Sequence, residues 1–377
     1  MSKRIVLLNT WHNSLDDRVF YHQAMSLTKS GYKVQIISTK DDTSEEVDHI
    51  SINSFNGHQL TRNDKINKMI ENLILFSPGL IICDSPLAVF ASKTFKKGHS
   101  VKIIYDITEW YPSKIHLQYY NGLHKLFRFI VLMLANFSAG IKSDSFIFGE
   151  YYKSIVFRKV FFWKKHSKLP YYPNTNYIRQ YPPEKITSEI NLLYTGRISI
   201  DKGIDTVIGA IQIASNQCPE IQFKLKVIGN FPTPGDQSYF NNLISGLRNN
   251  VHIKMVNSLP FPEFCKTIGD THLFFDLRKI DVESTHCLPI KLFYYLACGR
   301  PVIYSNLRAI RQEIKNINFG YLCNPNDIHS IADHIIEYIE NPDIYARHSM
   351  NALNISKSTY NWKVVENEFI SFLENQN

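Results

Sequence analysis

Short runs of β-branched and aliphatic residues recur along the chain, each followed by a longer stretch whose apolar positions return every three or four residues. That alternation predicts βαβ units around a mostly parallel sheet. The first unit reads as a strand at 4–9, a helix at 19–30 closed by Gly31, and a strand at 33–38. Further strands are predicted at 80–83, 101–105 and 145–148. The pattern then restarts, with strands at 191–195, 223–228, 252–255, 272–276 and 301–304. Two Rossmann-like halves follow. Between them, 169–184 carries Pro170, Pro173, Pro182 and Pro183 among polar and tyrosine residues, a linker that cannot be helical. A hinge there would open or close a cleft between the halves.

Length agrees with two domains, since 377 residues exceed one ordinary compact core. With 44% apolar and 20% charged residues the composition is that of a folded globular protein. Six cysteines without CxxC spacing argue against a zinc or disulfide framework. Lys3 and Arg4 lead into a short apolar run without a signal pattern, and the apolar run 129–135 is too short to span a bilayer, so a cytoplasmic protein is expected.

Lys and Arg outnumber Asp and Glu by 42 to 34, and the excess is uneven. The segment 151–169 holds Lys153, Arg158, Lys159, Lys164, Lys165 and Lys168 with no acid, interleaved with Tyr151, Tyr152, Phe157, Phe161, Phe162 and Trp163. Such a mixture suits either peripheral contact with anionic lipid headgroups or a solvated helix face over an aromatic core stripe. Nucleic acid ranks last as a partner, because no recognition motif accompanies the patch.

The chemistry concentrates at two strand–helix joints of the second half. At LYTGRISIDKG, Gly196 ends a strand, and Arg197 and Lys202 flank the loop before a helix beginning near Ile204. Cations beside a positive helix end repel it unless an anion lies between them, and a guanidinium fork with a mobile ammonium suits a diphosphate. At LPIKLFYYLACGRPVI, Pro289 opens a helix that ends at Gly299 before the next strand, and Lys291 lies in its first turn. Asp281 and Glu283 lie just upstream, where they either hold sugar hydroxyls or, for Glu283, pair with Lys291. In the first half, Asp106 and Glu109 follow a strand, and His12, Asp16 and Arg18 follow another; Asp16 reads best as a helix cap. A GxGxxG fingerprint is missing from 10–18, which disfavours a dinucleotide bound in the usual way.

The motifs DDRVFYHQAMSLTKSGYKV, YDITEWYP, PN at Pro173 and Asn174, YTGRISIDKG, VIGN and LPIKLFYYLACGRPV together resemble a family 4 type glycosyltransferase of the GT-B architecture over nearly the whole length. That resemblance implies an α/β fold of two Rossmann-like domains with parallel sheets facing across a cleft. An acceptor-binding domain would span 1–170 and a nucleotide-sugar-binding domain 171–350, and a C-terminal helix in 351–377 would return to pack on the first domain. It implies that Arg197 and Lys202 bind the diphosphate of a nucleotide-sugar donor and that backbone near Gly196 and Gly229 shapes the nucleotide pocket. His286, Pro289, Lys291 and Tyr294 would complete the donor site. The family's second glutamate, which holds the ribose, falls here on Tyr294; its first falls on His286 by spacing or on Glu283 by the Leu-Pro pair, and Glu283 is favoured. A histidine common in the family is Thr108. His12, Arg18, Asp106 and Glu109 would form the acceptor side.

The expected activity is a retaining, metal-independent transfer from the nucleotide-diphosphate sugar to a hydroxyl of a saccharide or lipid-linked saccharide during surface polysaccharide synthesis, with no cofactor. Arg197, Lys202 and helix-end amides would neutralise the leaving diphosphate. The alternatives are a nucleotide-sugar epimerase of the same fold and a non-catalytic nucleotide-sugar-binding subunit.

Overall fold

The computed structural model describes residues 3–109, 111–180 and 185–376. Strands form where the predicted apolar runs lie, and among the described residues they assemble into two sheets. The first contains β1 (Arg4–Asn9), β2 (Lys33–Ser38), β3 (Ser44–Val47), β4 (Ile50–Asn53), β5 (Leu80–Cys83), β6 (Lys102–Ile107), β7 (Ser145–Phe148) and β8 (His166–Lys168), in the order β3-β4-β2-β1-β5-β6-β7-β8. The second contains β9 (Glu189–Thr195), β10 (Gln222–Ile228), β11 (Val251–Val256), β12 (Leu273–Asp276), β13 (Val302–Ser305) and β14 (Gly320–Cys323), in the order β11-β10-β9-β12-β13-β14. All pairings are parallel except β3 with β4. Helices cover the central strands, which accounts for uninterrupted burial of runs such as LIIC in β5 and LFFD in β12.

The chain divides into two units, Met1–Tyr171 with Val365–Asn377, and Tyr172–Val364. The C-terminal residues therefore join the first unit from Val365, not from residue 351; the helix Pro342–Ser358 stays with the second. Within the first unit, Glu366 accepts from Ser26 Oγ at 2.5 Å and the Asn375 carbonyl accepts from Lys165 Nζ at 2.7 Å. Of the predicted linker, Pro182 and Pro183 lie outside the described residues, as does Trp110 of the YDITEWYP motif; the described part contains one 3-10 turn at Thr175–Tyr177.

Two elements depart from expectation. The first helix starts earlier, as a wide π-helical segment Asp17–Ala24 that runs into the α-helix Met25–Lys29. Arg18 and Gln23, five residues apart, both reach the Asp106 carboxylate, and five-residue spacing puts them on one face only in the wider turn. The apolar run 129–135 belongs to a much longer helix, Gly122–Lys142, which by length and composition alone is sufficient to cross a membrane.

Candidate functional site

Each sheet reverses its strand order beside its first strand: β1 lies between β2 and β5, and β9 lies between β10 and β12. Ligands of open α/β sheets bind beyond the carboxyl ends of the strands at such a switch point. In the second unit that edge carries Gly196 after β9, Gly229 after β10 and Asp276 at the end of β12.

Glycine is required here by contact. Gly203 has φ +77° and a Cβ there would lie 1.9 Å from the Leu277 carbonyl oxygen; a Cβ on Gly229 would lie 1.8 Å from the Gly196 carbonyl oxygen. The loop between β9 and the helix Ile204–Gln217 is thus pressed against its neighbours, and no side chain caps that helix. Tyr194, buried beneath the loop, donates to the carbonyl of Arg197 at 2.6 Å and approaches that of Lys202 at 3.3 Å. The backbone is held from below while both cationic side chains are left outside the core.

Arg197 is exposed, and among the described residues its guanidinium has no acidic partner; Lys202 is partly exposed and stands 3.7 Å from Asp201. Behind them, Arg278 Nε donates to Asp276 Oδ1 at 2.7 Å and its terminal nitrogen pairs with the other oxygen. Burial would push the Asp276 carboxyl up, but Arg278, Lys291 and Lys202 outweigh it and hold the group below the usual carboxylate range. Lys291 donates to the Thr195 carbonyl at 2.6 Å. Burial, offset in part by Asp276 and reinforced by Arg278 and Lys202, pushes its ammonium down to about 8. Cations outnumber acids in this cluster, the condition for holding a dianion.

The other predicted donor residues lie on the same stretch. Pro289 is the cap residue before the helix Ile290–Ala297, His286 contacts the Val282 carbonyl at 2.8 Å, and the Glu283 amide donates to Asp281 Oδ1 at 2.9 Å. Tyr294 packs edge-on against Phe261 and Phe264 with 3% of its surface exposed. Sequence reasoning missed Asp276 and Arg278, which arrive as the ordinary end of a buried strand and leave no motif.

In the first unit Arg18 and Asp106 form a buried bidentate pair at 3.0 Å, joined by Gln23 at 2.9 Å and the Leu169 carbonyl at 2.9 Å. Tyr171 stacks on the guanidinium at 4.1 Å. This is the geometry of a structural pair. Asp16 caps the helix through the Arg18 and Val19 amides at 3.0 and 3.3 Å, and Glu109 is exposed. His12 contacts Asp16 at 3.1 Å; burial opposes its charge, but Asp16, Asp84 and Asp17 push its imidazole up to about 9. His12 Nε2 and Thr108 Oγ1 are buried without a hydrogen-bond partner and line one small cavity of about 10 Å³. Asp84, also missed in the sequence, accepts from the Thr10 and Trp11 amides at 2.9 Å and fixes the loop that carries His12.

The second basic expectation, the segment 151–169, is used internally in part, while Arg158, Lys159, Lys165 and Lys168 are exposed. Lys153 binds the Thr108 carbonyl at 2.5 Å and pairs with Glu150. Lys164 donates to the Gly140 and Ile141 carbonyls at 2.7 and 2.9 Å, and Phe157 and Phe161 are core residues.

The two-domain α/β fold with parallel sheets is that of GT-B glycosyltransferase structures. Residues 180–354, which carry the cationic cluster, match the family described as Glycosyl transferases group 1. Sucrose-phosphate synthase (tll1590) from Thermosynechococcus elongatus superposes with a TM-score of 0.71 at 15% identity, covering 99% of this chain and 98% of that one. Anabaena Alr3699/HepE in complex with UDP and glucose gives 0.69 at 14% identity, with 99% of each chain covered. WaaG, a glycosyltransferase involved in lipopolysaccharide biosynthesis, gives 0.65 at 14%, covering 97% and 98%. No curated protein matches the sequence.

Proposed function

We propose that the chain is a family 4 type retaining glycosyltransferase that moves a sugar from a nucleotide-diphosphate sugar to a hydroxyl of a saccharide or lipid-linked saccharide acceptor, in surface polysaccharide synthesis at the cytoplasmic face of a membrane. The observation that carries this reading is the cation excess at the end of β9, where Arg278, Lys291 and Lys202 act on the buried carboxylate of Asp276 and the exposed Arg197 stands on the same loop as Lys202, before an uncapped helix N-terminus. The group 1 match over 180–354 supports it independently. UDP is the favoured leaving group, because a structural neighbour holds UDP and glucose at this fold.

In this reading Arg197 and Lys202 reach the diphosphate directly, and the helix amides add fixed partial positive charge. Lys291 and Arg278 set the local potential from behind. As the bond to the sugar breaks, negative charge grows on the diphosphate oxygen, and preorganised cations stabilise it without the divalent ion other transferases use. Gly196 and Gly229 let backbone approach the nucleotide, while Glu283, His286 and Pro289 flank the sugar. The buried ring of Tyr294 favours a second reading, a non-catalytic nucleotide-sugar-binding subunit, because it offers no carboxylate to the ribose.

Purified protein incubated with UDP-sugars and saccharide acceptors separates the readings. Acceptor-dependent release of UDP supports transfer. Interconversion of the sugar without acceptor would mean an epimerase, and tight binding with no turnover a binding subunit.

A further inference from the structure

The first unit holds a cavity of about 610 Å³ at the carboxyl ends of β1, β2 and β5, distinct from the small one beside His12. Lys40, Lys65 and Arg128 line it together with His58 and His116, and among the described residues no acid does. Among the described residues none of the three long cations has an ion-pair partner; Lys40 lies over the Trp11 ring at 5.6 Å and Arg128 over the Tyr120 ring at 5.6 Å. Trp11 and Tyr111 meet His116 edge-on at 4.8 and 4.7 Å, which gives one wall an aromatic surface. Three cations without acids facing one cavity repel each other, and the arrangement is relieved by a multiply charged anion.

Arg128 comes from the helix Gly122–Lys142, and that helix explains which anion. One side, with Leu132, Asn136, Ala139 and Gly140, is buried, and Asn136 accepts from Tyr105 at 2.7 Å and donates to the Tyr111 carbonyl at 3.0 Å. The opposite side exposes Leu123 (82%), Phe127 (70%), Leu134 (63%) and Ile141 (67%), with Leu126 and Ile130 between them. These recur at three- and four-residue spacing and form one stripe. Phe162 and Trp163, exposed at 78% and 64%, add apolar surface next to Phe161, which packs against Gly140 near the helix end. A contiguous apolar face of this kind is a contact surface. Between residues 110 and 143 the sequence has Lys114, Lys125, Arg128 and Lys142 and no acid, and 151–183 has none either. Cations ringing an apolar stripe on a helix whose other side is packed into protein describe a helix lying in an anionic interface.

We infer that the helix Gly122–Lys142 lies on an anionic bilayer and that the Lys40, Lys65 and Arg128 cavity takes the phosphate or diphosphate of a lipid-linked acceptor. This rests on the lipid-linked branch of the transferase reading and names its site. The stripe sits in the acyl boundary, and Arg128, on the border between the stripe and the buried side, reaches the phosphate at the depth where it leaves the membrane.

Vesicle sedimentation tests the inference with three membranes: neutral phosphatidylcholine, the same lipid with phosphatidylglycerol, and the same lipid with a long-chain polyprenyl diphosphate at matched surface charge. At matched surface charge the general attraction of cations to the membrane is equal for both, so the wild type is expected to prefer the diphosphate vesicles over phosphatidylglycerol by at least about tenfold, the effect of a direct charge-assisted contact. The Lys40→Ala, Lys65→Ala, Arg128→Ala triple variant should close that gap, and Leu126→Asp with Phe127→Asp should abolish binding to both anionic membranes. All but the partly buried Lys65 are exposed, so the variants retain the fold. Equal affinity for the two anionic membranes would overturn the phosphate site, and unchanged binding of the Asp variant would overturn the membrane face. Complete displacement by inorganic diphosphate would show a site for the free anion and overturn the lipid assignment. No donor is needed in this assay, so its failure leaves the nucleotide site of the second unit standing.

Discussion

Lys291 shows how a residue can be placed by sequence while its state is set by the fold. Its ammonium is pushed down to about 8 by burial and by two neighbouring cations, so its charge is lost as pH rises through that value. Nucleotide diphosphate affinity is expected to fall between pH 7 and 9, and Lys291→Met should flatten that fall; an unchanged profile in the variant would remove Lys291 from the site. His12 carries the opposite sign. Its folded-state value of about 9 lies above the ordinary 6.5, so it stabilises the fold fully below 6.5 and ceases to do so as pH rises through 9. The melting-temperature difference between wild type and His12→Gln should therefore be greatest near pH 6 and shrink toward pH 10. Asp106→Asn leaves the buried Arg18 guanidinium without its counter-ion and is expected to cost about 3–5 kcal/mol in denaturant unfolding. A loss below about 1 kcal/mol would mean that the pair is not the structural tie its burial indicates.

At the scale of elements, Gly203→Ala combines a left-handed backbone with a 1.9 Å approach to the Leu277 carbonyl and should cost at least about 2 kcal/mol in chemical denaturation. The strands at β1, β2, β5 and β7 were legible to the residue because parallel central strands are continuous apolar runs. Of the edge strands only β11 was, at 252–255. SEEV in β3 is almost wholly exposed, ISIN in β4 beside it buries alternate positions in four residues, and HSK in β8 and GYLC in β14 are too short for a period to show. The helix Gly122–Lys142 was not legible because its unbroken apolar core, 129–135, masks the period of the stripe that continues on both sides of it. Both joints of the second unit were legible because glycine, proline and cations punctuate them. Asp276 and Arg278 were not, since an acid and an arginine two residues apart at the end of an apolar strand show in the sequence neither their burial nor their bidentate pairing.

For the whole molecule, two Rossmann-like units place their chemistry at the same topological position, the strand-order reversal next to β1 and next to β9. The units differ in what they gather there: an acid-free cationic cavity beside an apolar helix in one, a cation cluster around one carboxylate in the other. The central claim concerns the second of these, that Arg197 and Lys202 hold a diphosphate, and calorimetric titration with UDP and with UMP tests it most directly. The wild type should bind UDP at least about tenfold more tightly than UMP, as expected for charge-assisted contacts worth roughly 1.5–3 kcal/mol, and Arg197→Ala should erase the difference. Equal affinity of the wild type for the two nucleotides, or an undiminished preference in the variant, would contradict it.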